Sequence, residues 1–225
     1  MIINLHPAYL LYPARAEMNR TLPKGKFYEY GSISSKVREY FVSQVEKITL
    51  KYVLASATSN LPPKDGVSEF HVFSLELKTP ELNLDVLRCI DEVWHFPVIF
   101  ELLYDGKIKV VAACKRGSVA DASRWVCSDY FSTGWLTGDI QRTAMPLALD
   151  LGNLYEQVLK RLIPLSARPL ENLADLVARS EMVSSKQRDV DKTVSKLAKE
   201  KQFNRKVEIN ASLRQLKIEL EQLSR

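Results

Sequence analysis

The chain has 225 residues, 46% of them hydrophobic and 26% charged, with a net charge of +5. This is the profile of a globular protein with one full domain and an appendage, and it excludes a disordered or low-complexity chain. No apolar run approaches the ~18–20 residues that cross a bilayer, and Met1–His6 lacks a charged and then apolar leader, so neither a membrane partner nor a signal peptide is expected.

The three cysteines, Cys89, Cys114 and Cys127, form no Cys-x-x-Cys pair, and His6, His71 and His95 show no metal-ligand spacing. A disulfide framework, a structural metal and a cofactor are therefore not expected, and a reducing, cytoplasmic location is.

Residues 1–31, rich in Pro, Tyr and turn formers, read as an irregular arm anchored by Leu10, Leu11 and Tyr12. Val37, Tyr40, Phe41, Val45 and Ile48 recur at helical spacing and predict a helix over 32–47, with caps offered by Ser32, Ser34 and Ser35. Thr49–Ala55 reads as a strand, 60–66 as a loop, and Val67–Lys78 as a long strand. Thr79-Pro80 signals the start of a second helix, striped by Leu82, Val86, Leu87, Ile90, Val93 and Trp94 and ended by Phe96-Pro97.

Val98–Tyr104 and Lys107–Lys115 flank Asp105-Gly106, a two-residue hairpin turn that requires φ > 0 at both positions. Ile108, Val110, Ala112 and Cys114 are expected to face the core, and Lys107, Lys109 and Lys115 to face out. Arg124–Leu136 reads as a further strand pair and Leu147–Ile163 as a third helix.

Pro164 and Pro169 then mark a break. From Arg168 onward there are 13 Lys/Arg against 9 Asp/Glu, so this tail carries four of the five net positive charges. Ile209, Leu213, Leu216, Leu220 and Leu223 step 4-3-4-3, as a coiled-coil seam does. The expected architecture is an α+β body over 1–165, a mostly antiparallel sheet with packed helices. A long helical tail over 168–225 should follow, as a hairpin broken near Ser184-Ser185 or Gln202-Phe203.

Three groups of residues invite a functional reading. Glu76 and Lys78 form the Glu-x-Lys of many metal-dependent nucleases, where carboxylates hold a cation and the lysine attends the attacking water. The acid that would share the ion, Asp65, lies in the loop before the same strand, about ten residues back along an extended chain and too far for a shared ion, and Glu69 points to the opposite face. Glu101 falls opposite Val110 on the face of Ile99, Leu103 and Ile108, where a carboxylate needs a partner. It is read as a site acid or as half of a structural salt bridge. Lys107, Lys109, Lys115 and Arg116, near Tyr104 and Trp125, could neutralise and stack on a single strand of nucleic acid, or simply protect an edge strand. The leucine seam needs an apolar surface, supplied by a second copy, a partner protein, or the chain's own body or Leu170, Leu173 and Val177.

The order of Val45–Tyr52, Leu87–Asp91, Phe96–Leu102, Ala112–Arg116 and Glu200–Glu208 resembles a bacterial family described as a domain of unknown function and numbered four-three-nine-one. The resemblance spans nearly the whole chain. It implies a setting beside DNA methyltransferases and helicases of restriction-like phage-defence clusters, and it brings no catalytic residues. The expected function is a non-catalytic accessory or adaptor subunit docking onto such a helicase or methyltransferase. The alternatives are a metal-dependent nuclease and a nucleic-acid-binding module.

Overall fold

The computed structural model describes residues 5–30, 33–117 and 125–225. Ser32 and Arg124, expected as a helix cap and a strand start, lie outside the described residues, as do the first four residues of the expected arm. The chain divides into two units, Met1–Leu162 and Ile163–Arg225.

The first unit is an α+β body around a six-stranded mixed sheet of order β2-β3-β4-β5-β6-β7, antiparallel except between β4 and β5. The strands are β2 (Glu17–Leu22), β3 (Val45–Ala55), β4 (Glu69–Leu77), β5 (Val98–Tyr104), β6 (Lys107–Gly117) and β7 (Trp125–Ser132). The parallel step is bridged by helix α4 (Leu84–Val93), the crossover that parallel neighbours need. Strands β1 (Leu5–Leu11) and β8 (Gln141–Ala144) pair in parallel as a separate ribbon.

Central β4 is buried on both faces: Phe70 and Val72 on one, Phe73 and Leu75 on the other. On the second face Phe73, Phe100 and Val111 join Phe27 of α1 (Gly25–Tyr30), Phe41 of α2 (Ser35–Gln44) and Val86, Leu87 and Ile90 of α4 in one core. The opposite face receives α5 (Leu151–Lys160), whose Tyr155 ring lies 5.7 Å from that of Phe70 and whose hydroxyl donates to the Ala113 carbonyl at 2.8 Å. The Asp105-Gly106 turn has φ of 47° and 69°, as its sequence requires.

Several expected boundaries shift for local reasons. The described residues before 31 hold two strands, a one-turn 3-10 helix at Ala14–Ala16 and an α-helix. Polar β2 carries no alternating apolar pattern, and β1 finds its partner more than 130 residues away. Leu10 and Tyr12 are buried there as expected, but Leu11 is exposed. The helix from Ser35, capped by the Ser34 hydroxyl accepting from the Val37 amide, stops at Gln44, and Val45 to Lys47 open β3. The second helix starts at Leu84, because Asn83 rather than Thr79 accepts from the first-turn amide, that of Asp85. In the expected pair over 124–136, one strand ends at Ser132 and Leu136 makes only an isolated bridge to Ile108. Helix α5 begins at Leu151 behind an Asp150 cap, leaving Leu147 and Leu149 exposed. A one-turn helix, α3 (Ser56–Ser59), follows β3.

The second unit is an antiparallel helical hairpin of α6 (Leu173–Lys199) and α7 (Phe203–Ser224). It breaks at Glu200–Gln202, while Ser184-Ser185 continues inside α6. Lys186 meets Glu219, and the Arg179 guanidinium donates to the Leu223 carbonyl at 2.9 Å. This register sets buried Val190 across from buried Leu213. Arg179 also grips Glu171 and holds that carboxyl down at about 2. No described helix is long and apolar enough to cross a membrane.

Candidate functional site

Glu101 stands opposite Val110, as its register predicts, and is 1% exposed. Its partner is Arg142 of β8, whose Nη1 and Nη2 reach Oε1 and Oε2 at 2.7 Å each. Lys51 Nζ lies 3.4 Å from Oε2, and Arg142 Nη1 also donates to the Leu10 carbonyl at 2.6 Å. The guanidinium sits 4.1 Å from the Tyr9 ring centre, with Tyr12 and Tyr52 at 5.9 and 5.7 Å. Burial opposes the Arg142 charge, but the Glu101 hydrogen bonds and field outweigh it and raise the pKa. Burial and then the Glu101 charge raise the Tyr12 hydroxyl. Glu101 is therefore the salt-bridge half that the sequence reading allowed for, joining the β1–β8 ribbon to the sheet. Arg142 was not singled out, because Gln141–Ala144 has no hydrophobic pattern; the signal for it was the need of a core carboxylate for a cation.

The expectation that Lys115 faces out is corrected: it is 4% exposed. Lys107, Lys109, Val111, Ala113 and Lys115 share one face of β6, and α4 covers its middle and far end. There the Lys115 ammonium donates to the carbonyls of Asp91, Trp94 and, at 3.4 Å, Phe96. It thus caps the carbonyl end of α4, where a cation suits the helix dipole. The Tyr130 hydroxyl donates to Asp91 Oδ2 at 2.5 Å. Burial pushes the Asp91 carboxyl up to about 6 against the pull of Tyr130 and Lys115, and it lowers the Lys115 pKa. Burial also raises the Cys127 thiol to about 11, which makes it a poor nucleophile.

The other basic candidates do not form one patch. Exposed Lys107 and exposed Arg116 lie at opposite ends of β6, ~30 Å apart at strand spacing. Half-buried Lys109 lines a cleft of about 460 Å³ with Leu102, Tyr130 and Trp135.

Glu76 and Lys78 are at the exposed end of β4. Glu76 pairs with Lys47 at 3.6 Å, and Lys78 pairs with Glu46 at 3.4 Å and donates to the Val42 carbonyl. The length of β4 separates them from Asp65, which lies beside Gly152 of α5. Among the described residues no group of three or more His, Cys, Asp or Glu side chains could hold a metal ion. In the tail seam Leu213 is buried, and Ile209, Leu216, Leu220 and Leu223 are half-buried.

The structure adds a concave surface that the sequence reading missed. A cleft of about 570 Å³ is walled by Leu22, Phe27, Leu50, Val93, Trp94 and Phe96 and rimmed by Arg20, Lys26, Glu92 and His95. Trp94 Nε1 donates to His71 Nδ1 at 2.7 Å, which fixes the indole and puts the His71 proton on Nε2. That N–H, 3.5 Å from Glu69 Oε1, is the single fully buried side-chain polar atom without a hydrogen-bond partner among the described residues. Burial lowers the His71 pKa to about 4. In the sequence Trp94 counts as the last residue of the helix's apolar stripe and Phe96 as part of its stop, so nothing there marks the two rings as walls of one cleft.

A mixed-sheet α+β body with a helical hairpin after it, and buried charges paired internally, defines the class to which this chain belongs structurally. The family described as Domain of unknown function (DUF4391) matches residues 10–220, and the chain belongs to that family. No curated protein and no solved structure matches the chain.

Proposed function

We propose that this chain is a non-catalytic accessory subunit that docks onto a larger DNA-processing enzyme, with the α+β body as its recognition module. One observation carries the reading: each buried carboxylate described in the body is already committed inside the fold. Asp91 is held by Tyr130 and Lys115, Glu101 by Arg142 and Lys51, and Asp150 by Lys64 and the Asn153 amide. General acid–base or metal chemistry needs a carboxylate that can reach a substrate or an ion, and these three serve the fold. The bacterial setting beside methyltransferase and helicase genes, which the family resemblance implies, supports a DNA-modification or phage-defence system and a cytoplasmic location. The partner is then a helicase or methyltransferase.

Co-expression with the methyltransferase and helicase of its own gene cluster, followed by light scattering of the purified species, tests the proposal. The expected result is one complex of fixed stoichiometry with one of the two enzymes. A chain that elutes separately from both would overturn it.

A further inference from the structure

Arg20 and Lys26 are exposed cations with no acidic partner among the described residues, and both stand on the rim of the 570 Å³ cleft. Elsewhere on the sheet Lys47 pairs with Glu76 and Lys78 with Glu46. Below the two cations the walls are apolar and include three aromatic rings, those of Phe27, Trp94 and Phe96. The volume suits one small organic molecule. Leu22, Phe27 and Leu50 are buried and form a fixed floor, while Trp94 is held in place by its bond to His71. The site is thus preorganised, and little ordering opposes binding.

This combination selects its ligand. A purely apolar molecule would leave the two cations unanswered, and a small inorganic anion would leave the aromatic walls unused. A planar aromatic body carrying a phosphate uses both: rings stack on the base and the cations meet the anion. We propose that the cleft binds a nucleotide, with its base against Trp94 and Phe96 and its phosphate on Arg20 and Lys26. Glu92 and His95, also on the rim, offer polar contacts to the sugar or to the edge of the base. The source is either a free nucleotide or the phosphorylated end of a single strand, which present the same chemistry. The inference does not depend on a docked enzyme.

The test is calorimetric titration of the full chain, at fixed physiological salt, with deoxyadenosine 5′-monophosphate, deoxyadenosine, inorganic phosphate and a 5′-phosphorylated single-stranded oligonucleotide. Saturable binding of the mononucleotide or the oligonucleotide is expected, with the nucleoside and the inorganic phosphate each at least tenfold weaker. Whichever of the two binds more tightly identifies the source. Arg20→Ala/Lys26→Ala should weaken binding at least tenfold, as should Phe96→Ala, while Lys107→Ala leaves it unchanged. Thermal unfolding of the exposed double variant, matching wild type, shows that the fold is intact. The proposal is overturned by no saturable binding of either nucleotide probe, by equal binding of nucleoside and nucleotide, or by full affinity in the double variant.

Discussion

Arg142 closes on Glu101 with two parallel hydrogen bonds of 2.7 Å, in a pocket where the carboxylate is almost fully shielded from water. Bidentate geometry and desolvation make this pair costly to break from one side. Arg142→Met leaves an uncompensated buried carboxylate, with only Lys51 at 3.4 Å to answer it, and should cost about 3–5 kcal/mol of stability. Adding Glu101→Leu should recover much of that loss. Urea unfolding of the single and double variants measures both. Equal losses in the two would mean that the pair is not the coupled unit.

Lys115 gives a sharper contrast, because Lys107 and Arg116 of the same strand are exposed. Lys115→Met strips the α4 carbonyl end of its cation and leaves Asp91 with Tyr130 alone, at a cost of about 3 kcal/mol. Lys107→Ala and Arg116→Ala, on the exposed ends of the same strand, should stay within about 0.5 kcal/mol of wild type. Thermal melts of the three variants decide it; a mild Lys115→Met would place that ammonium in solvent.

Acidification should weaken the body through His71. Its pKa of about 4 in the folded chain lies below the ordinary 6.5, so the unfolded chain takes up the proton first as pH falls. The His71 contribution is complete above about pH 6.5 and is lost progressively toward pH 4, about 3 kcal/mol in all. Asp91, pushed up to about 6, works in the opposite sense, since its folded form holds a proton that the unfolded chain has released. The comparison is therefore between wild type and His71→Gln, unfolded in urea at several pH values. The wild type should show the extra acid-side loss, and identical profiles would remove His71 as its source.

In the hairpin, Leu213→Asp puts a carboxylate where α7 is buried and should cost about 3 kcal/mol, whereas Ile218→Asp on an exposed position should cost under about 0.5 kcal/mol. Amide exchange over 203–224 reads the difference. Comparable exchange in the two variants would show that Leu213 is not what seats α7.

How far the sequence reaches is clear from individual residues. The Asp105-Gly106 hairpin and the Glu101–Val110 register were legible because turn chemistry and alternation are local. So was the helical tail, with its break at one of the two expected places. Arg142 was not, since a four-residue strand pairing with the N-terminal ribbon leaves no periodic trace. Lys115 was misplaced because alternation reports which face a side chain takes and not which faces are covered. The cleft draws Arg20, Leu50 and Trp94 from three separate elements, and only the fold brings them together.

On the proposed reading the body recognises DNA-processing enzymes and does not itself cut. A plasmid-cleavage assay with the purified chain in Mg²⁺ or Mn²⁺, wild type beside Glu76→Ala, tests it most directly. Both proteins should leave the plasmid intact. Metal-dependent cleavage by the wild type that vanishes in Glu76→Ala would contradict that reading.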